Sequence, residues 1–181
     1  MAAIRLVSLA ALLAAALAIF GAPPRAAASV DQFTVLDPTP SLLNGESAAR
    51  RSDILDRLQS LGVDSVRIQV QWRVLAPAPH SSTKPPAFDG SDPGSYPPHA
   101  FDVLDSIVRG VDARGMKALL VPTGPIPDWA STTGRGSLSD PSPVEFERFV
   151  QALGERYDGT CVLPKCAAGP EIGRASCRER V

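Results

Sequence analysis

The sequence predicts the α/β class, with a parallel sheet assembled from strand–helix units, and three observations predict it. Strand-like and helix-like patterns follow one another three times between residues 33 and 157, the order that gives parallel strands joined by crossover helices. Residues 65–72 (Ser-Val-Arg-Ile-Gln-Val-Gln-Trp) alternate, with Val66, Ile68 and Val70 on one face and Arg67, Gln69 and Gln71 on the other. Stop signals, Gly62, Gly115 and the turn at 158–160, close the helical patterns. A polar face with a charge at its centre is awkward in a flat sheet covered on both sides. It makes sense in a strand that closes a barrel, its inward face under a binding site and its outward face against helices.

The elements follow in order. Residues 33–36 (Phe-Thr-Val-Leu) form a first short strand, and Asp37-Pro38-Thr39-Pro40 closes it as a loop. A helix is expected over 47–61, with Ile54, Leu55, Leu58 and Leu61 on one face and Arg50, Arg51, Asp53 and Arg57 in solvent. After the alternating strand, residues 73–98 contain Pro77, Pro79, Pro85, Pro86, Pro93, Pro97 and Pro98, too many for any regular element. A loop of that length inside a domain is functional or mobile. Residues 101–114 read as a second helix with Phe101, Leu104, Ile107, Val108 and Val111 inward. Residues 117–121 (Lys-Ala-Leu-Leu-Val) read as a third strand, apolar enough to be covered on both faces, and run into a loop carrying Trp129. Ser142-Pro143-Val144-Glu145 is a helix start, with an N-cap serine, a proline at the first helical position and a glutamate completing a capping box. Phe146, Phe149, Val150, Leu153 and Tyr157 make the buried stripe of that helix.

The two ends read differently. Arg5, the apolar residues 6–22 and Ala26-Ala27-Ala28 form a secretory leader, with cleavage expected after Ala28. The apolar run is shorter than the roughly 20 residues a membrane span needs, so no stable span is expected after cleavage and the protein is expected outside the cell. Residues 171–181 (Glu-Ile-Gly-Arg-Ala-Ser-Cys-Arg-Glu-Arg-Val) read as the in-frame translation of a sequencing adapter, which leaves one domain over residues 29–170. That domain keeps 13 of the 18 basic and 17 of the 19 acidic side chains, a net charge of −4 that disfavours nucleic acid as a partner. With Cys177 in the adapter, Cys161 and Cys166 remain as a pair expected to form a local disulfide in an oxidising compartment. No second cysteine pair or nearby histidine completes a metal site, and His80 and His99 read as solvated. No glycine-rich turn follows Val35, Val70 or Val121, so no nucleotide cofactor is expected, nor any other.

Three stretches carry a resemblance: 61–77 (Leu-Gly-Val-Asp-Ser-Val-Arg-Ile-Gln-Val-Gln-Trp-Arg-Val-Leu-Ala-Pro), 92–96 (Asp-Pro-Gly-Ser-Tyr) running into 101–105 (Phe-Asp-Val-Leu-Asp), and 124–130 (Gly-Pro-Ile-Pro-Asp-Trp-Ala). Together they resemble the N-terminal part of secreted clan A glycoside hydrolases, the cellulase- and xylosidase-like (β/α)8 enzymes, over about residues 33–157. The resemblance implies the first three strand–helix units of a TIM barrel and a carbohydrate substrate whose O-glycosidic bonds a pair of glutamates hydrolyses. It implies that Arg67 supports the nucleophilic carboxylate and that aromatics at loop starts form sugar subsites. It also implies an acid/base glutamate after a fourth strand and a nucleophile after a seventh, neither of which is present. Glu46, Glu145, Glu147 and Glu155 all fall on helices or helix entries. The chain as it stands is therefore expected to be inactive and to fold poorly alone.

The candidate substrate contacts are Arg67, mid-strand among polar neighbours; Trp72 and Trp129, with flat faces for a sugar ring and expected to flank one cleft; Gln71 as a hydrogen-bond donor; and Asp37, a substrate contact or a turn former before proline. An alternative reading is a secreted, non-catalytic carbohydrate-binding or surface-interaction protein on an α/β scaffold.

Overall fold

Alternation along residues 65–71 becomes a strand with two unlike faces. In the computed structural model, which describes residues 32–43, 45–134 and 138–158, this strand (β2, Ser65–Gln71) is the centre of a three-stranded sheet. The short β1 (Val35–Leu36) pairs with it in parallel on one side and β3 (Lys117–Thr123) on the other. Five helices complete a mixed α/β fold among the described residues: α1 (Thr39–Leu43), α2 (Ala48–Ser60), α3 (Trp72–Leu75), α4 (Asp102–Asp112) and α5 (Pro143–Tyr157). The leader, the Cys161 and Cys166 pair and residues 171–181 lie outside the described residues. None of the described helices is long and apolar enough to cross a membrane.

Val66, Ile68 and Val70 are buried in one core with Leu55 and Leu58 of α2 and Leu104, Ile107, Val108 and Val111 of α4. Residues side by side in a parallel register share a face. The opposite face therefore carries Val35 beside Ser65, Arg67 beside Leu119, Gln69 beside Val121 and Gln71 beside Thr123. This face is open: Val35, Gln71 and Leu119 are exposed, Leu119 at 46 %.

The helix ends obey local chemistry. Ser47 caps α2 by accepting from the Arg50 amide. Gly62 and Gly115 stand after α2 and α4 at φ +74° and +71°, the left-handed conformation in which a side chain is strained. Ser142 accepts from the Glu145 amide at 3.4 Å. The capping box is incomplete, however, because the Glu145 carboxylate turns to Lys84 (2.6 Å) and Arg148 (3.1 Å).

Four expectations are corrected. Residues 39–40 belong to α1 rather than a loop: Asp37 accepts from the Thr39 amide at 3.1 Å, and Pro40 falls in the first turn, where its missing N–H costs nothing. One helical turn, α3, and a 3-10 turn at Pro93–Ser95 form within the proline-rich stretch; α3 forms because it buries Trp72 and Leu75 before the prolines begin. β3 extends two residues past Val121, through Pro122, which an edge strand tolerates. Finally, β3 is covered on one face only, since Leu119 shares the open face with Arg67.

Candidate functional site

The open face holds a cluster of polar groups at the carboxyl end of β1 and the middle of β2. Asp37, the residue after β1, takes both the Arg67 guanidinium and the Gln69 side-chain amide (2.9 Å) on Oδ2, and the Thr39 amide on Oδ1. Thr39 ties α1 to β2, its hydroxyl donating to the Arg67 carbonyl at 3.3 Å and accepting from the Gln69 backbone amide at 3.0 Å. Hydrogen bonds from Thr39 and Gln69, with Arg67 beside them, hold the Asp37 carboxyl well below the usual carboxylate range. The cluster is within reach of solvent: the side chains of Arg67 and Asp37 are 38 % and 28 % exposed. Of the five candidate contacts, the structure brings Asp37 and Arg67 into direct contact. Gln69 and Thr39 were missed; Gln69 shares the parity of Arg67 and Gln71, a signal present in the alternation.

Gln71, one step further along the face, is exposed, and with Gln69 it lines a cavity of about 290 Å³. Leu43 of α1, Val74 of α3 and Leu104 of α4 form its apolar walls.

The tryptophans are placed otherwise than expected. Trp72 is 1 % exposed, stacked on Phe149 at 5.3 Å and met edge-on by Trp129 at 5.7 Å. It has no free face for a sugar ring; the α5 aromatic stripe has taken it. Its indole N–H is buried with no hydrogen-bond partner among the described residues. Trp129 is half-buried, donates its indole N–H to the Pro77 carbonyl at 3.0 Å and lies 5.7 Å from Phe88. The two indoles share one end of the sheet but touch rather than flank a cleft.

Residues 73–98 are fastened down. Arg73 pairs with Asp128 at 2.7 Å, the Asp128 amide donates to the Pro79 carbonyl, and Phe88 and Tyr96 are buried. Lys84 reaches Glu145 across the Phe88 and Trp129 rings. Both strand-end carboxylates, Asp37 and Asp128, are thus engaged by arginines. Among the described residues no group of three or more His, Cys, Asp or Glu side chains could hold a metal ion; His80 and His99 are exposed.

No family model, curated protein or solved structure matches the chain.

Proposed function

We propose that this chain belongs to a secreted clan A glycoside hydrolase, that its three strand–helix units are the first of a (β/α)8 barrel, and that the open sheet face binds the saccharide. The observation that carries the reading is the convergence of Asp37, Arg67 and Gln69 on a sheet face that, among the described residues, no core covers. A charged, hydrogen-bonded cluster on the inward side of a parallel strand is what a barrel enzyme places under its site, whereas a doubly covered sheet excludes it. The three sequence stretches quoted above support the same reading.

Hydrolysis of a glycosidic bond needs two carboxylates across it, about 5 Å apart for retention and further for inversion. Asp37 and Asp128 are ion-paired and are proposed for neither role. The pair of glutamates is proposed to come from later strand ends, and Arg67, whose guanidinium Asp37 already engages, to hold substrate hydroxyls rather than the nucleophile. Engagement of both strand-end carboxylates favours a second reading, a non-catalytic carbohydrate-binding protein using the same face.

Assay of the intact gene product beside residues 29–170, on aryl glycosides and polysaccharides, separates the two. Hydrolysis by the intact protein alone is expected, with Arg67→Ala lowering kcat by about 10²-fold. Absence of hydrolysis by the intact protein contradicts the enzyme reading. Equal rates from the short form show that the active site has been misplaced.

A further inference from the structure

We propose that Asp37 is a specificity-determining residue that makes the open face select uncharged saccharides over uronate-bearing ones. The inference rests on the saccharide reading above and narrows its substrate class. An exposed arginine on its own is a carboxylate receptor, because its planar fork matches a carboxylate with two parallel hydrogen bonds. Arg67 is not on its own. Its Nη1 group is given to Asp37 Oδ2, and the same oxygen takes the Gln69 amide at 2.9 Å. The Thr39 amide, at 3.1 Å on Oδ1, fixes the carboxylate from the other side. A uronate approaching Arg67 would therefore meet a guanidinium already engaged, beside a carboxylate of its own sign.

What the cluster still offers is neutral in sum: the guanidinium N–H groups not turned to Asp37, the second Gln69 amide hydrogen, and the exposed Gln71 amide. Donors and acceptors together without net charge suit sugar hydroxyls, which do both. Lys117, the other cation on this face, is drawn to the amino end of β3, with its ammonium over the Phe33 ring at 5.9 Å. Because the Asp37 carboxyl is held well below the usual range, the compensation persists at mildly acidic pH.

The test is titration calorimetry of the intact gene product, at pH 7 and one fixed ionic strength, with cellohexaose, xylohexaose and hexagalacturonate. At least one neutral hexamer is expected to bind more tightly than the uronate by about tenfold or more, a solvent-screened part of the cost of like-charge juxtaposition. Asp37→Asn, nearly the same shape without the charge, is expected to erase or invert that ratio, and Asp37→Glu to keep it. Hexagalacturonate binding as tightly as the neutral sugars overturns the proposal, and so does an unchanged ratio in Asp37→Asn. Both results leave the saccharide reading standing. Binding of none of the three, together with no hydrolysis by the intact protein, sinks that reading and this proposal with it. Should Asp37→Asn lose its native circular dichroism, the wild-type ratio and Asp37→Glu decide.

Discussion

Asp37 ties the first strand to the second through Arg67 and Gln69 and starts α1 through the Thr39 amide. Its carboxyl is held well below the ordinary range, first by the Thr39 and Gln69 hydrogen bonds. A folded-state value below the unfolded one means that ionised Asp37 stabilises the fold above the unfolded value. That contribution begins to fall when the unfolded chain takes up the proton, near about pH 4, and is gone once the pH has dropped through the folded value. Asp37→Asn is therefore expected to lower the urea midpoint at pH 7, with the difference from wild type shrinking on acidification below about pH 4. A difference independent of pH, measured by urea titration at several pH values, would show that the charge is not what matters. Trp72 teaches the converse. An aromatic at a strand end reads the same in sequence whether it faces ligand or core. What decided its place was Phe149, 77 positions on, whose ring lies within 7° of parallel to it.

Helices α2 and α4 meet closely, and Arg114 bridges them by hydrogen bonds to Asp56 (2.8 Å), the Ser52 hydroxyl (2.7 Å) and the Gly110 carbonyl (2.8 Å). A Cβ at Gly110 would stand 2.7 Å from Leu55 Cδ1, inside the core, whereas one at Gly154 of α5 would meet nothing within 4 Å. Helix propensity favours alanine at both by about 1 kcal/mol. Gly154→Ala is thus expected to stabilise by about 0.5–1 kcal/mol, and Gly110→Ala to lose more, about 1–3 kcal/mol, to overpacking. Equal effects in chemical denaturation would mean that α2 and α4 are less tightly apposed. α4 is also joined to α5 by the buried Asp105, which takes Arg156 (2.9 and 2.5 Å) and the Tyr157 hydroxyl (2.8 Å). Burial, with Asp105 beside it, pushes the Tyr157 hydroxyl well up, so it stays a donor. At this scale the period-two strand, most of each helical stripe and the glycine stops were legible, because each is a local signal; Leu61 and Val150, read as inward, are exposed instead. Two short helices were not: Pro38 and Pro40 read as breakers, although Asp37 supplies a cap and Pro40 sits where proline is harmless, and α3 exists for a burial partner that no local pattern names. The ion pair of Asp105 with Arg156 was equally hidden, since its partners are 51 residues apart.

At the scale of the described residues, the sheet has one face committed to a core and one open, and the outer edge of β3 is unpaired. Exposed apolar residues on such an edge strand invite self-association. Leu119→Lys is expected to reduce self-association in light scattering while changing stability by no more than about 0.5 kcal/mol, as exposed substitutions do. A large loss of stability would place Leu119 in a core instead. We propose that the open face, and not the aromatic cluster or the helix side, meets saccharide. The most direct measurement is an NMR titration of the intact gene product with cellohexaose and xylohexaose, following the Gln69 and Gln71 side-chain amides, the Arg67 Nε–H and the Trp72 and Trp129 indole N–H groups. Saturable shifts at Gln69, Gln71 and Arg67, with the Trp72 indole unmoved, are predicted. Shifts confined to the indoles or the helix face, or none at all, would contradict the account.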